Sequence, residues 1–155
     1  MANLIYASIN GNKQGLISSG CGSLPSIGNK YQQGHEDEVF IYDLISALEH
    51  HDNVSLHPLE IRKPIDKSSP LLAMALSNYE VLQCEFAFYR ISETGGMEKY
   101  FVIKLRDARI VELKLSAPHS MTQNEMPPQE SASFKYACIE WEHCKAGTSA
   151  YCFWR

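Results

Sequence analysis

Apolar side chains recur mostly at every second position along this chain, which is the spacing of half-buried β-strands. The alternation is clearest over residues 98–106 and 111–115. The same kind of pattern predicts further strands at residues 3–9, 54–62, 81–91, 131–142 and 150–154. Many short strands of this kind are typical of a β-barrel or β-sandwich.

Turn and break signals lie between these strands. The sequence Glu93-Thr94-Gly95-Gly96 predicts a hairpin turn between two of them. Pro58 interrupts the alternation of residues 54–62, which predicts an edge or bulged strand. The phase shifts between Tyr136 and Ile139, which predicts a β-bulge. Residues 117–130 predict a polar loop.

One stretch, at about residues 70–77, predicts a helix. Ser69 can accept hydrogen bonds from the free N–H groups of the first turn, and Pro70 suits the first helical position. Leu72 and Leu76 are four residues apart and therefore share one face. A helix of about two turns is unstable alone in water, so we expect it to pack against a sheet.

Two segments allow more than one interpretation. Residues 10–36 are rich in Gly, Ser, Asn and Gln and predict a long loop, with Leu16 and Ile17 as a short strand near its start. Residues 38–46 begin as a strand, but Asp43 to His50 equally suits a short helix.

Composition and charge narrow the class of protein. A length of 155 residues predicts a single domain over residues 1–155, and 45% hydrophobic residues are typical of a globular domain. The net charge of -4 and the scattered lysines and arginines argue against nucleic acid or an anionic membrane as partner. We expect no stable membrane insertion, because no apolar run approaches about 18 residues. No signal-peptide pattern opens the chain, so we expect a cytoplasmic protein whose export would need no cleaved signal.

Cysteines and histidines supply the candidate reactive groups. The five cysteines (Cys21, Cys84, Cys138, Cys144 and Cys152) are odd in number and include no CxxC pair, which predicts reduced thiols. Cys84 and Cys138 lie in apolar runs and are expected to be buried.

No arrangement of these groups predicts an active site. His50, His51 and His57 lack the ligand spacing of a metal site, and adjacent strand residues point to opposite faces. His143 beside Cys144 resembles a thiol–imidazole pair, but neighbours in sequence rarely meet in the required geometry. We therefore predict no enzyme, no catalytic residue, no metal ligand and no cofactor.

The run from Lys63 to Leu72, KPIDKSSPLL, closely resembles the strand-to-helix segment of the haemolysin-coregulated protein family, Hcp, which forms the inner tube of type VI secretion systems. Further stretches agree with the family in order and spacing, so the resemblance covers essentially the whole chain. They are residues 3–6 with 13–18, residues 26–30 followed by 34–37, and residues 139–149.

This resemblance implies a fold and an assembly. The expected fold is mainly β, a β-barrel or sandwich of two antiparallel sheets with one short flanking helix at about residues 70–77. The expected assembly is a homo-hexameric ring that stacks into a tube, carries small effectors in its channel, and works with a contractile sheath and a spike protein. An alternative is the delivery module of a larger fusion whose C-terminal toxin domain is absent from this chain. A monomeric β-sandwich binding module is a further alternative.

The resemblance also suggests which residues make contacts. The long loop of residues 10–36 would serve contacts between stacked rings, and the predicted subunit or ring contacts are Ile17, Ser18, Ile27, Asn29, Asp66 and Lys67. The segment of residues 43–51 would contribute to the channel wall, with Asp43, Ile45 and Ala47 as candidate wall residues. Equally, Leu44 and Leu48 could simply pack in the core.

Overall fold

The chain is built mainly from antiparallel strands. A computed structural model describes residues 3–123 and 125–154. The helices are α1 (Leu24–Ile27) and α2 (Ser68–Ser77), and a 3₁₀ turn spans Gly28–Lys30. The strands are β1 (Leu4–Gly11), β2 (Gly15–Leu16), β3 (Val39–Ile41), β4 (Asp43–Ile45), β5 (Leu48–His50), β6 (Val54–Leu56), β7 (Leu59–Pro64), β8 (Leu82–Ile91), β9 (Met97–Ser116), β10 (Gln129–Lys135), β11 (Cys138–His143) and β12 (Thr148–Phe153).

Two antiparallel sheets share the long strand β9. In the first sheet, β9 pairs with β8 and β11, while β1 joins β8 and also pairs with β2 and β3. In the second sheet, β9 pairs with β10, followed by β7 and β4. β12 extends the first sheet beyond β11, and β5 and β6 form a separate hairpin. The predicted mainly β fold of two antiparallel sheets is confirmed.

The hydrophobic core lies between the two sheets. Phe86 on β8 and Phe134 on β10 are completely buried, and their rings meet edge to face with centroids 6.0 Å apart. Leu72 and Ala75 of α2 are also buried, which attaches the short helix to the sheets as expected. Burying a side chain such as Leu72 contributes about 1.5–3 kcal/mol, so packing rather than intrinsic propensity holds this helix.

The start of α2 differs from the prediction. The helix begins at Ser68, so Pro70 is its third residue and not its first. The carboxylate of Asp66, rather than Ser69, accepts the Ser68 N–H at 2.8 Å. The Ser69 hydroxyl instead accepts the N–H of Asp66 at 3.1 Å. A second short helix, α1, lies within the predicted loop, so the expectation of one helix was incomplete.

Several strand assignments also change in the folded chain. The helix alternative for residues 43–50 is wrong, because this segment forms β4 and β5. Residues 98–106 and 111–115 belong to one continuous strand, β9. The break after Tyr136 is a change of sheet, not a bulge, because β10 pairs in the second sheet and β11 in the first. A register shift occurs instead between Ser133 and Phe134. The predicted loop at residues 117–130 includes residue 124, which lies outside the described residues.

Within the described residues, no helix has the length and apolar character needed to cross a membrane.

Candidate assembly surfaces

The outer face of the second sheet carries the predicted channel-wall residues. Asp43 pairs in register with Arg62, and Asp43 Oδ1 lies 3.3 Å from Arg62 Nε. Ile45 pairs with Glu60 on the same face, and 54% of its side chain is exposed. Ala47, just beyond β4, is exposed as well. All three therefore remain predicted wall residues on an exposed, largely polar surface.

The other face of this sheet packs against the core, where the core-packing alternative would place both Leu44 and Leu48. Leu44 pairs with Ile61, and Leu44 packs partly buried against the hydrophobic core. Leu48, by contrast, lies on the separate β5–β6 hairpin with 46% of its side chain exposed. The core-packing alternative thus holds for Leu44 and is wrong for Leu48.

Of the three histidines near the β5–β6 hairpin, two contact the Glu49 carboxylate and one faces solvent. His51 Nε2 lies 3.4 Å from Glu49 Oε2, and His57 Nε2 lies 3.2 Å from Glu49 Oε1. His50 is exposed at the end of β5. No cluster that could hold a metal ion is found within residues 3–123 and 125–154.

The long loop is anchored to the first sheet at its far end. The Gly22 N–H donates to the carbonyl of Glu36 at 2.9 Å. The His35 ring stacks on the buried Tyr6 ring, with centroids 3.9 Å apart and an interplanar angle of 1°. His35 Nδ1 also lies 2.8 Å from Glu38 Oε1. The loop therefore forms a defined surface in which residues 24–30 are helical.

The six predicted contact residues divide into buried and exposed groups. Ile17 (1% exposed) and Ser18 (0%) lie inside the subunit, and the Ser18 hydroxyl accepts the Ile9 N–H at 3.2 Å. Asp66 and Ile27 are buried as well. Burial argues against subunit contacts through these side chains. Asn29 and Lys67 are exposed and stay predictions as contact residues.

A buried ionic cluster joins β7, α2 and β10. Lys63 Nζ lies 2.9 Å from Glu130 Oε1, 3.1 Å from Asp66 Oδ1 and 3.3 Å from the Ser69 hydroxyl. Lys63 is completely buried, and Glu130 is 2% exposed. A buried charge is tolerated only when it is paired and hydrogen-bonded. The cluster therefore fixes the position of the strand-to-helix segment relative to β10. Sequence reasoning missed both Lys63 and Glu130; the KPIDKSSP run contains Lys63 but not Glu130, which lies 67 residues away.

The chain matches a known protein family over most of its length. Residues 6–143 match the family model described as "Type VI secretion system effector, Hcp". This chain belongs to the Hcp family. The family assignment from sequence is confirmed.

Two relatives show how far the sequence similarity extends along the chain. The chain is 36% identical to the major exported protein of Pseudomonas aeruginosa, covering 100% of this chain and 97% of that protein. It is 38% identical over 96% of its length to the uncharacterized protein YhhZ of Escherichia coli K12. The chain spans only 37% of the length of YhhZ.

Solved Hcp structures share the fold throughout. A crystal structure of an Hcp protein superposes with a TM-score of 0.92 at 32% identity, covering 99% of this chain and 98% of the other. The secreted protein Hcp3 of Pseudomonas aeruginosa superposes with a TM-score of 0.90 at 37% identity, covering 99% of each chain.

The cysteines of this Hcp chain are placed for packing. All five thiols are free, and Cys21, Cys84 and Cys138 are buried, which confirms the prediction for the last two. Burial, and secondarily the charge of Asp66, raises the pKa of Cys21 to about 12. Burial also raises the pKa of Cys84 and of Cys138. Thiols with raised pKa values are poor nucleophiles at neutral pH.

The adjacent histidine and cysteine do not form a pair in this structure. His143 Nδ1 accepts the Ala146 N–H at 3.0 Å, within the turn between β11 and β12. The Cys144 N–H donates to the carbonyl of Tyr100 at 2.9 Å. Both residues therefore shape a turn between two strands.

Proposed function

We propose that this chain is the tube subunit of a type VI secretion system, forming hexameric rings that stack and carry small effector proteins. The observation that carries this proposal is the match to Hcp structures with TM-scores of 0.92 and 0.90, each covering 99% of the chain. In this proposal the protein acts as a structural carrier and not as an enzyme. Its partners are further copies of itself, a contractile sheath, a spike protein and the effectors.

Two unpaired strand edges support assembly into a ring. β4 pairs only with β7, and β12 pairs only with β11, within the described residues. The β12 edge also presents Tyr151 and Phe153, which are 67% and 56% exposed. Open edges of this kind favour pairing with another chain. Two different edges on one subunit suit head-to-tail contacts that close by rotation.

The outer face of the second sheet supports a channel wall. Asp43 and Ile45 lie on this face with Arg62 and Glu60, so charges of both signs alternate with an apolar position. On β10, the small side chain of Ser131 lies opposite Arg62 and continues the same row. A surface of this mixed character can hold a protein cargo loosely, without the charge excess that would exclude one class of cargo. We therefore assign Asp43, Ile45 and Ala47 to the proposed wall.

Export follows from the same proposal. A relative that matches the whole chain is named a major exported protein. The proposed path is from the cytoplasm through the secretion system, without a cleaved signal peptide.

The test is the mass and shape of the particle in solution. Light scattering combined with negative-stain imaging should show rings of six chains, each of 17.5 kDa. Short stacks should appear as the concentration rises. A monomer at every concentration would refute the ring proposal for this chain.

The delivery-module alternative is less favoured. The match to the Pseudomonas aeruginosa relative covers 97% of that protein, so a subunit of this size occurs without a further large domain. The length of YhhZ shows that a similar domain also occurs within a longer protein.

A further inference from the structure

A pocket of about 360 Å³ lies beside the point where β9 passes from the first sheet to the second, lined by Tyr79, Arg109, Lys135 and Trp154 among others. We call it the corner pocket. The Arg109 guanidinium carbon lies 4.3 Å from the centre of the Tyr79 ring, and Lys135 Nζ lies 5.3 Å from the Trp154 ring. Cations over aromatic faces are attracted to the rings, so both positive groups are held at this pocket.

The two cations have no acidic partner in the described chain. Arg109 and Lys135 are directly opposite each other on β9 and β10. Like charges at such positions destabilise a sheet. The ion pairs found within the described residues all involve other cations. The carboxylate of Asp107, which also borders the pocket, accepts a hydrogen bond from Gln83 Nε2 at 2.8 Å. The corner pocket therefore suits an added anionic group.

Backbone strain is concentrated at the same place. Among the described residues, Tyr79 (φ 51°) and Asp107 (φ 49°) are the non-glycine residues with positive φ. Tyr79 follows α2 at the position where glycine normally ends a helix, with the Glu80 N–H donating to the Ala75 carbonyl at 2.8 Å. Strained residues of this kind cluster at functional sites. A tyrosine here retains an aromatic ring over Arg109 that glycine would lack.

Strands β8 and β9 form a hairpin that begins beside the corner pocket, and the tip of this hairpin carries complementary groups. Ile91 pairs with Met97 at the hairpin tip, whereas Leu82 pairs with Ala108 beside the corner pocket. About nine residues of strand, at about 3.3 Å each, separate the two ends by about 30 Å. The tip presents the exposed Glu93, flanked by Ile91 and Met97, which are 54% and 45% exposed. The tip therefore offers one carboxylate beside apolar side chains, and the pocket offers two cations beside aromatic rings, so the two surfaces are complementary in charge and polarity.

We propose that the Glu93 tip of one subunit docks in the corner pocket of a subunit in the next ring. The carboxylate would pair with Arg109 and Lys135, while Ile91 or Met97 would cover the Tyr79 ring. A contact between two different surfaces of one subunit runs head to tail, and it either closes into a ring or continues along an axis. We assign this contact to stacking because the open edges of β4 and β12 already account for ring closure, so this inference rests on the proposed tube function.

Charge reversal tests the contact. Glu93→Lys should still form rings, but half-maximal stacking should need a protein concentration at least about tenfold higher, because a charge-assisted contact is lost in every subunit. The double variant Arg109→Glu/Lys135→Glu should behave alike. Combining all three substitutions should restore stacking to within about threefold of the unmodified chain. Lys135→Gln, at an exposed position, gives a milder loss without disturbing the fold.

Sedimentation velocity with negative-stain imaging would measure rings and stacks separately. The matched control is Glu142→Lys, which makes the same charge change on an exposed carboxylate of β11 and should leave stacking unchanged. Unaltered stacking in Glu93→Lys would overturn the proposal. So would loss of ring closure in the Lys135→Gln variant, since the pocket would then be a contact within the ring. An unmodified chain that never forms rings would overturn the tube function, and this contact with it.

Discussion

Replacing Lys63 by methionine should strongly destabilise the subunit. The ammonium group lies 2.9 Å from Glu130 and 3.1 Å from Asp66, and all three side chains are at most 3% exposed. Methionine would fill much of the lysine volume but leave two carboxylates buried without a cation. Removing one partner of a buried ion pair costs about 3–5 kcal/mol. That is a large part of the total stability of a domain, about 5–15 kcal/mol.

Urea unfolding at fixed protein concentration would measure this loss. The control is Lys104→Met, which removes a pair with Glu85 at 3.7 Å in which both side chains are 42% exposed. Exposed pairs contribute only about 0–1 kcal/mol. Glu130→Gln should cost less than Lys63→Met, because Lys63 retains Asp66. In a double-mutant cycle the two losses should not add, since both residues belong to one network. A loss under about 1 kcal/mol for Lys63→Met would refute the view that the two buried carboxylates depend on the Lys63 ammonium group.

Three further outcomes are expected. Gly22→Ala should lower the free energy of unfolding by about 1–3 kcal/mol and speed proteolysis of the loop, because the added methyl group would overlap the carbonyl oxygens of His35 and Glu38. Gly96→Ala is the control, since a methyl group there meets no atom. Equal stability of the two variants would contradict this expectation. Burial raises the pKa of Glu80, but hydrogen bonds from the Gln14 and Lys13 N–H groups, both 2.9 Å, outweigh it and the net pKa is lowered. The advantage of the unmodified chain over Glu80→Gln should therefore be complete above the ordinary value of 4.5 and be lost as pH falls through the lower folded pKa, as followed by urea unfolding across pH. A thiol reagent should label the half-buried Cys144 well before Cys84, whose pKa burial raises, and equal rates in the folded protein would contradict this assignment.

The local sequence predicted most strands because one face of each sheet is buried. The alternation over residues 98–106 corresponds to buried Ile103 and Leu105 with Arg106 outside. The same information could not show that β9 continues through Asp107 into the second sheet. That continuation depends on pairing with β11 on one side of the bend and with β10 on the other, and these partners are distant in sequence.

Ambiguity of period also hid the conformation of residues 43–50. Leu44 and Leu48 are four residues apart, so the segment suits a helix as well as a strand. The antiparallel pairing of Asp43 with Arg62 and of Leu44 with Ile61 decides in favour of a strand. Tertiary contacts often override such weak local preferences.

The sequence by itself determined the family, from several motifs in their order along the chain, and the mainly β class and the approximate position of the flanking helix, from local periodicity. Only the tertiary structure decided which polar groups are buried. Lysine side chains are mostly exposed, yet Lys63 lies in phase with the buried Leu59 and Ile61 of β7 and contacts Glu130, 67 residues away in the chain. The tertiary structure also brings Tyr79, Arg109 and Lys135 together at the corner pocket. Contacts between distant segments leave no periodic signal in the chain, so they become visible only when the sheets pack.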